Sequence, residues 1–178
     1  MKRKIWLTAW LTLLILAFAG GAAMAGEATN EAKIGSKEYT TLAEAIAAVQ
    51  PKETVTLLKD VTLADTLEIA NKEFTLDFDG YVLTSEVSTA NAPVVSLTGT
   101  SKVNMVSNGK GGGIIASRLA ENGGAIAVTS GCMLTVESAD LIHGDVVEIQ
   151  NGEVIKMNFY SSDTKKYYTT MEKATADG

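Results

Sequence analysis

Between residues 41 and 51 apolar side chains recur at helical spacing, and beyond residue 51 they alternate. Leu42, Ala45, Ile46 and Val49 fall at i, i+3, i+4 and i+7 and make one apolar stripe. Thr41 precedes the stripe and Glu44 follows it by three residues. That is the spacing of a capping box, in which each side chain satisfies a free backbone amide of the first turn. Pro51 ends the pattern. The spacing predicts a helix of two turns. A helix so short does not stand alone, so its stripe must lie on an apolar surface.

After Pro51 the period falls to two. "TVTLL", "TLEIA", "FTLDF", "YVLTS", "PVVSL", "KVNMV", "GIIAS", "AIAVT", "MLTVE", "DVVEI" and "EVIKM" follow one another, rich in β-branched residues. Between them stand turn formers such as "KD", "DG", "TGTS", "SNGKGGG", "ENGG" and "HGD". This predicts an all-β fold with short connections. Leu57, Leu76, Leu97, Ile115, Val136 and Ile155 recur at gaps of 18 to 21 residues. Leu63, Val82, Val103, Ile126 and Val146 recur at gaps of 19 to 23. Two series in step favour a coil whose every circuit repeats the same strands over a hairpin-built sandwich, whose strands recur at about 8–12 residues.

The stretch from Lys33 to Gly144 resembles right-handed parallel β-helix domains of the pectate-lyase-like class, found in bacterial secreted and cell-surface proteins. The likeness rests on Tyr39 to Ile46, Val55 to Asp60, Thr75 to Leu83 and the later "GGAIAVTSGCMLTVESADLIHG". It implies a solenoid whose first circuit is lidded by the short helix, since an open end invites edge-to-edge association. It implies little about activity, because function resides in sites and not in folds.

The ends divide the chain. Lys2, Arg3 and Lys4 precede an apolar run from Ile5 to Phe18, and small residues follow up to Ala25. That layout predicts a signal peptide over residues 1–25. The run is shorter than the ~20 residues of a spanning helix, so membrane association is expected only of an uncleaved form. Residues 26–160 are expected to form the β-helix domain. At residues 165–173 "KKYYTTMEK" echoes "SKEYTTLAE" at 36–44, with Lys166, Tyr168, Thr169 and Thr170 matching Lys37, Tyr39, Thr40 and Thr41. Residues 161–178 therefore read as the start of a second, truncated module. In it Glu172 and Lys173 replace Ala43 and Glu44, so the capping box is lost.

Charge narrows the partners. The leader holds three of the 15 basic residues and no acid, leaving 12 basic against 21 acidic residues. Such a surface repels nucleic acid and anionic lipid. Cys132 is the sole cysteine, so no disulfide can form within the chain, and it reads as a small core residue.

Candidate chemistry is sparse. Asp77 and Asp79 could face outward from a strand and hold a hard cation, yet Asp before Gly80 is equally turn chemistry, which we favour. Arg118 is the one arginine outside the leader, and His143 the one histidine, with Asp145 and Glu148 near it in sequence. Both read as surface residues. "NGKGGGI" at 108–114 lacks the order of a phosphate loop and reads as a mobile turn. Tyr160, Tyr167 and Tyr168 read either as a carbohydrate platform or as strand residues covering the last circuit.

No catalytic, cofactor or metal residue is assigned. The expected function is an exported, non-enzymatic β-helix module, a cell-surface scaffold or adhesin-like surface for a glycan or protein ligand. End-to-end association through an uncapped C-terminal end is expected to be open to it. The alternative is a polysaccharide lyase or epimerase fragment, suggested by fold analogy alone.

Overall fold

The structure is a computed structural model, and it describes residues 29–121, 124–150, 153–157, 159–161 and 164–168. The signal peptide expected at 1–25 and the Glu172–Lys173 pair lie outside those residues.

The expected helix forms. α1 (Leu42–Ala48) begins at Thr41, whose Oγ1 accepts the Glu44 N–H at 3.2 Å, while Thr41 N–H donates to Glu44 Oε2 at 3.3 Å. Leu42, Ala45, Ile46 and Val49 are all buried, as the stripe requires. Ahead of the helix stand β1 (Ala32–Ile34) and β2 (Lys37–Tyr39), an antiparallel hairpin turning at Gly35, where φ is +58°. Alternation in so short a run is too brief to be noticed, and this hairpin was not among the expected strands.

Beyond the helix the chain is mostly strand, arranged in parallel sheets. It visits three sheets in turn and returns to the first after every third strand. The first circuit is β3 (Thr54–Leu57), β4 (Val61–Leu63) and β5 (Leu67–Ala70). The second is β6 (Glu73–Asp77), β7 (Val82–Ser85) and β8 (Val95–Thr98). The third is β9 (Lys102–Val106), β10 (Gly113–Ile115) and β11 (Ile126–Thr129). The fourth is β12 (Met133–Val136), β13 (Ile142–His143) and β14 (Val146–Gln150). Sheet A stacks β3, β6, β9 and β12; sheet B stacks β4, β7, β10 and β13; sheet C stacks β5, β8, β11 and β14.

Parallel register turns alternation within a strand into columns across strands, because residues on one face of each strand align with one face of the next. Val55, Leu76, Met105 and Val136 form one inward column of sheet A. Val61, Leu83, Ile114 and Ile142 form that of sheet B, and Leu67, Val95, Ile126 and Val146 that of sheet C. All twelve side chains are buried in one core. Each fully buried aliphatic side chain contributes about 1.5–3 kcal/mol.

The repeat length differs from the expected one. Stacked residues are 21 apart at Val55 and Leu76, 29 apart at Leu76 and Met105, and 31 apart at Met105 and Val136. The two evenly spaced series therefore do not follow single columns: Leu76 lies in sheet A, Leu97 in sheet C and Ile115 in sheet B. Extra residues enter mainly between sheets B and C, at 86–94 and 116–125. Parallel pairing tolerates such insertions because the loop leaves the stack and returns in register.

Both ends depart from the parallel arrangement. β1 pairs antiparallel with β3 and extends sheet A beyond the first circuit, with β2 outermost. At the other end β15 (Glu153–Lys156) pairs antiparallel with β14. β16 (Phe159–Ser161) and β17 (Lys166–Tyr168) form a second antiparallel hairpin, with β17 against β12. Met157 and Tyr167 pack on the core there. These strands lie against the last circuit at the C-terminal end of the stack.

Candidate functional site

At the corners between sheets, polar side chains bond along the stack. At the A–B corner Asp60 Oδ1 accepts Val82 N–H at 2.9 Å, and Ser107 Oγ accepts Gly80 N–H at 3.0 Å. Glu137 Oε2 accepts Ser107 N–H at 2.7 Å and Asn108 N–H at 2.9 Å. At the C–A corner Ser101 is fully buried. Its Oγ lies 2.9 Å from Ile69 O and 2.8 Å from Thr98 O, and accepts Lys72 N–H at 3.3 Å. Each circuit satisfies backbone groups of its neighbour at the bends, where the sheet ladders cannot reach them.

The two candidate aspartates fall into this network. Asp77 ends β6, and Asp79 sits in the following turn at φ +50°. Asp77 Oδ1 accepts Asp79 N–H at 3.0 Å, and its Oδ2 accepts Asn108 Nδ2–H at 3.1 Å. Asp79 pairs with Lys110 one circuit on. The hydrogen bond to Asp79, then its charge, hold the Lys110 ammonium above its usual pKa, with the Asp77 charge adding to the effect. The turn reading of the two aspartates is the one their bonds support.

The glycine run is not a free loop. A Cβ on Gly112 would collide with Tyr81 O and Gly80, and a Cβ on Gly113 with Leu141 O and its backbone. Gly113 N–H donates to Tyr81 O at 2.9 Å. These two glycines let adjacent circuits touch, which replaces the expectation of a mobile turn.

Cys132 is half-buried at the C–A corner, its Sγ–H donating to Gly99 O at 3.4 Å. It stands in register with Ser101, one circuit earlier, and packs against the aliphatic core as expected while its thiol bonds along the stack. His143 is exposed on β13, Asp145 lies in the B–C bend, and Glu148 continues the inward column of Ile69, Leu97 and Val128. The three do not share one face. A carboxylate at the last inward position was legible in "DVVEI", where Val146 and Glu148 alternate together; the earlier strands, all aliphatic there, hid it. Among the described residues no group of three or more His, Cys, Asp or Glu side chains could hold a metal ion. No helix among them is long and apolar enough to cross a membrane.

Grooves lie on the outer faces of sheets A and B. On the outer face of sheet A a groove of about 310 Å³ is lined by Lys52, Glu73, Thr75, Lys102, Asn104 and Thr135, with Met133 at one side. Thr54, Thr75, Asn104 and Thr135 align across β3, β6, β9 and β12 as one outward polar column. Lys102 and Glu73 approach to 3.9 Å beside it. On sheet B a groove of about 330 Å³ is lined by Thr62, Thr84, Ile115, Arg118 and Leu119. Arg118 and Leu119 are exposed on the long 116–125 loop, which bonds to the 86–94 loop through Ser117 Oγ–H to Val87 O at 2.7 Å. Tyr160 and Tyr168 lie on strands β16 and β17, and Tyr167, also on β17, is half-buried against the core.

Comparison with known protein families, curated proteins and solved structures finds no match to this chain.

Proposed function

We propose that the three-sheet winding is a right-handed parallel β-helix of the pectate-lyase-like class, and that the chain is an exported, non-enzymatic scaffold. Its flat outer faces rest against a glycan or protein ligand at the cell surface. The handedness follows from the rule that parallel crossovers are right-handed in nearly all cases. The leader at residues 1–25 supports export.

The observation that carries the scaffold reading is where the polar side chains bond. Asp60, Asp77, Asp79, Ser101, Ser107, Asn108, Lys110 and Glu137 bond to one another or to backbone of this same chain, mostly across circuits. Groups so engaged hold the stack together. The ligand face is then the sheet A groove, where Thr75, Asn104 and Thr135 offer hydroxyl and amide groups in a row from strand to strand, neighbouring strands of a sheet lying about 4.8 Å apart.

A glycan array with the mature chain tests this: a bound glycan whose binding is lost in Asn104→Ala and kept in Thr62→Ala supports it. The same protein is incubated with uronate polymers and calcium, and unsaturated product is followed by absorbance. Turnover that disappears in Asp77→Ala would replace the scaffold with a lyase.

A further inference from the structure

One antiparallel hairpin ends sheet A, the other is a two-stranded sheet of its own lying against β12 at the opposite end, and the two are built alike. In the first, Ala32 pairs with Tyr39 and Ile34 with Lys37. In the second, Phe159 pairs with Tyr168 and Ser161 with Lys166. Each returning strand is thus Lys-x-Tyr, followed in sequence by Thr-Thr, and each opening strand meets it in the same register. The turns differ in length, with two residues between Ile34 and Lys37 and four between Ser161 and Lys166, and the opening strands differ in side chains, Ala-Lys-Ile against Phe-Tyr-Ser. So β16 corresponds to β1, and β17 to β2.

The neighbours of the two hairpins complement each other. β1 holds β3 on the side away from β2. β17 lies against β12, and Val136 N–H donates to Lys165 O at 2.7 Å. Laid over one another, the hairpins give a continuous order: the last sheet A strand of one unit, a β2-type strand, a β1-type strand, then the first sheet A strand of the next. In this chain, among the described residues, β16 is paired on the β17 side only.

We propose that the free side of β16 is a strand-accepting edge, and that its occupant is the β3 strand of a second unit of this kind, added antiparallel as β3 is to β1. The hairpin is then a joint that carries sheet A from one unit into the next. An uncovered strand edge is a template for pairing. Here the strand that fits it is specified by what its counterpart already holds. The inference needs only the stacked sheets and the hairpins, and stands whether or not an outer face binds a ligand.

The test is a two-unit chain: this protein through Thr170, followed directly by a second copy of residues 42–178, so that Thr169 and Thr170 precede α1 as Thr40 and Thr41 do. Urea unfolding is compared with that of the single chain. Stacked units unfold together when their interface is sound, and the unfolding slope grows with the surface exposed. The expected result is one transition with roughly twice the slope of the single chain. Hydrogen exchange should protect the second copy's Thr54–Leu57 amides as strongly as the first copy's. A parallel two-unit chain carries a Gly/Ser run in place of residues 159–168, with the same exchange made in the single chain as its baseline. That version should add no slope over its baseline. Two separate transitions in the hairpin version, an unprotected second β3, or equal behaviour of the hairpin and Gly/Ser versions would overturn the proposal.

Discussion

Gly113→Ala separates a stack of touching circuits from a set of strands joined by loose loops. Gly113 opens β10 at φ +118°, and an added Cβ would fall on Leu141 O, the carbonyl just before β13. Two costs combine. A left-handed backbone conformation strains any residue with a Cβ by about 1–2 kcal/mol. Relieving the overlap then means moving β10 from Leu141, and a strained local backbone costs about 1–3 kcal/mol more. The total is about 3 kcal/mol, which for a domain of this size lowers Tm by roughly 6–12 °C. Gly111→Ala is the control. Gly111 also has a positive φ, of 80°, but its Cβ would meet nothing within 4 Å. It should lose only the conformational part, about 1–2 kcal/mol. Thermal unfolding of both variants, followed by far-UV circular dichroism, reads the difference directly. Equal losses for the two would show that Gly113 is not pressed against the next circuit, and the pairing of β10 with β13 would have to be abandoned.

Ser101→Ala removes the hydroxyl that links Ile69 O, Thr98 O and Lys72 N–H in a fully buried bend; urea unfolding should show a loss of about 1–3 kcal/mol, with Ser101→Cys losing less because its counterpart Cys132 still donates. Lys72→Met removes the ammonium that donates to Ala47 O at 2.8 Å and Val49 O at 3.4 Å, the open carbonyls at the end of α1; the expected loss is about 0.3–1 kcal/mol, weakened by salt in the wild type and not in the variant. The Lys110–Asp79 pair raises the lysine pKa, so its stabilisation is complete below pH 10.5, the ordinary value, and falls as pH rises through the higher folded value. Unfolding of wild type and Lys110→Met should therefore differ at neutral pH and converge in strong alkali; a difference that grows with pH refutes the pairing.

How far the sequence could be read depended on the range of the interaction. The capping box of Thr41 and Glu44 and the stripe from Leu42 to Val49 act within eight residues, and both were legible. Strand positions were legible too, since Phe74, Leu76 and Phe78 alternate with polar residues within β6 and its exit. The order of stacking was not. Leu57 and Leu97 look like members of one series, but the 86–94 insertion moves Leu97 to another sheet. Register between circuits depends on how many residues leave the stack at each bend, and a one-dimensional period averages over that. Gly112 and Gly113 were misread for the same reason. Beside Asn108 and Lys110 they have turn composition, and their purpose appears only when Tyr81 and Leu141 arrive from the circuits on either side. Of the candidate residues, the aspartates were legible as turn formers, whereas their partners Asn108 and Lys110, 31 residues on, were not.

The same geometry explains why the outer columns are where selectivity can arise. An inward position is apolar unless its polar group finds a partner there, as Glu148 does, because a buried polar group otherwise loses water without compensation. A corner position must donate or accept, because the bend leaves backbone groups that the neighbouring circuit has to satisfy. Only the outward positions answer to neither demand. On sheet A they run Glu73, Lys102, Met133 in one column and Thr54, Thr75, Asn104, Thr135 in the next. The first column changes sign from circuit to circuit, so its field largely cancels within the groove. The second keeps one character throughout, uncharged and able both to donate and to accept. A chain with 21 acidic residues against 15 basic ones thus holds an uncharged, hydrogen-bonding strip on the outer face of sheet A. On the function proposed above, such a strip would discriminate by the direction of hydroxyl and amide bonds, which a neutral polar ligand can match and a point charge cannot.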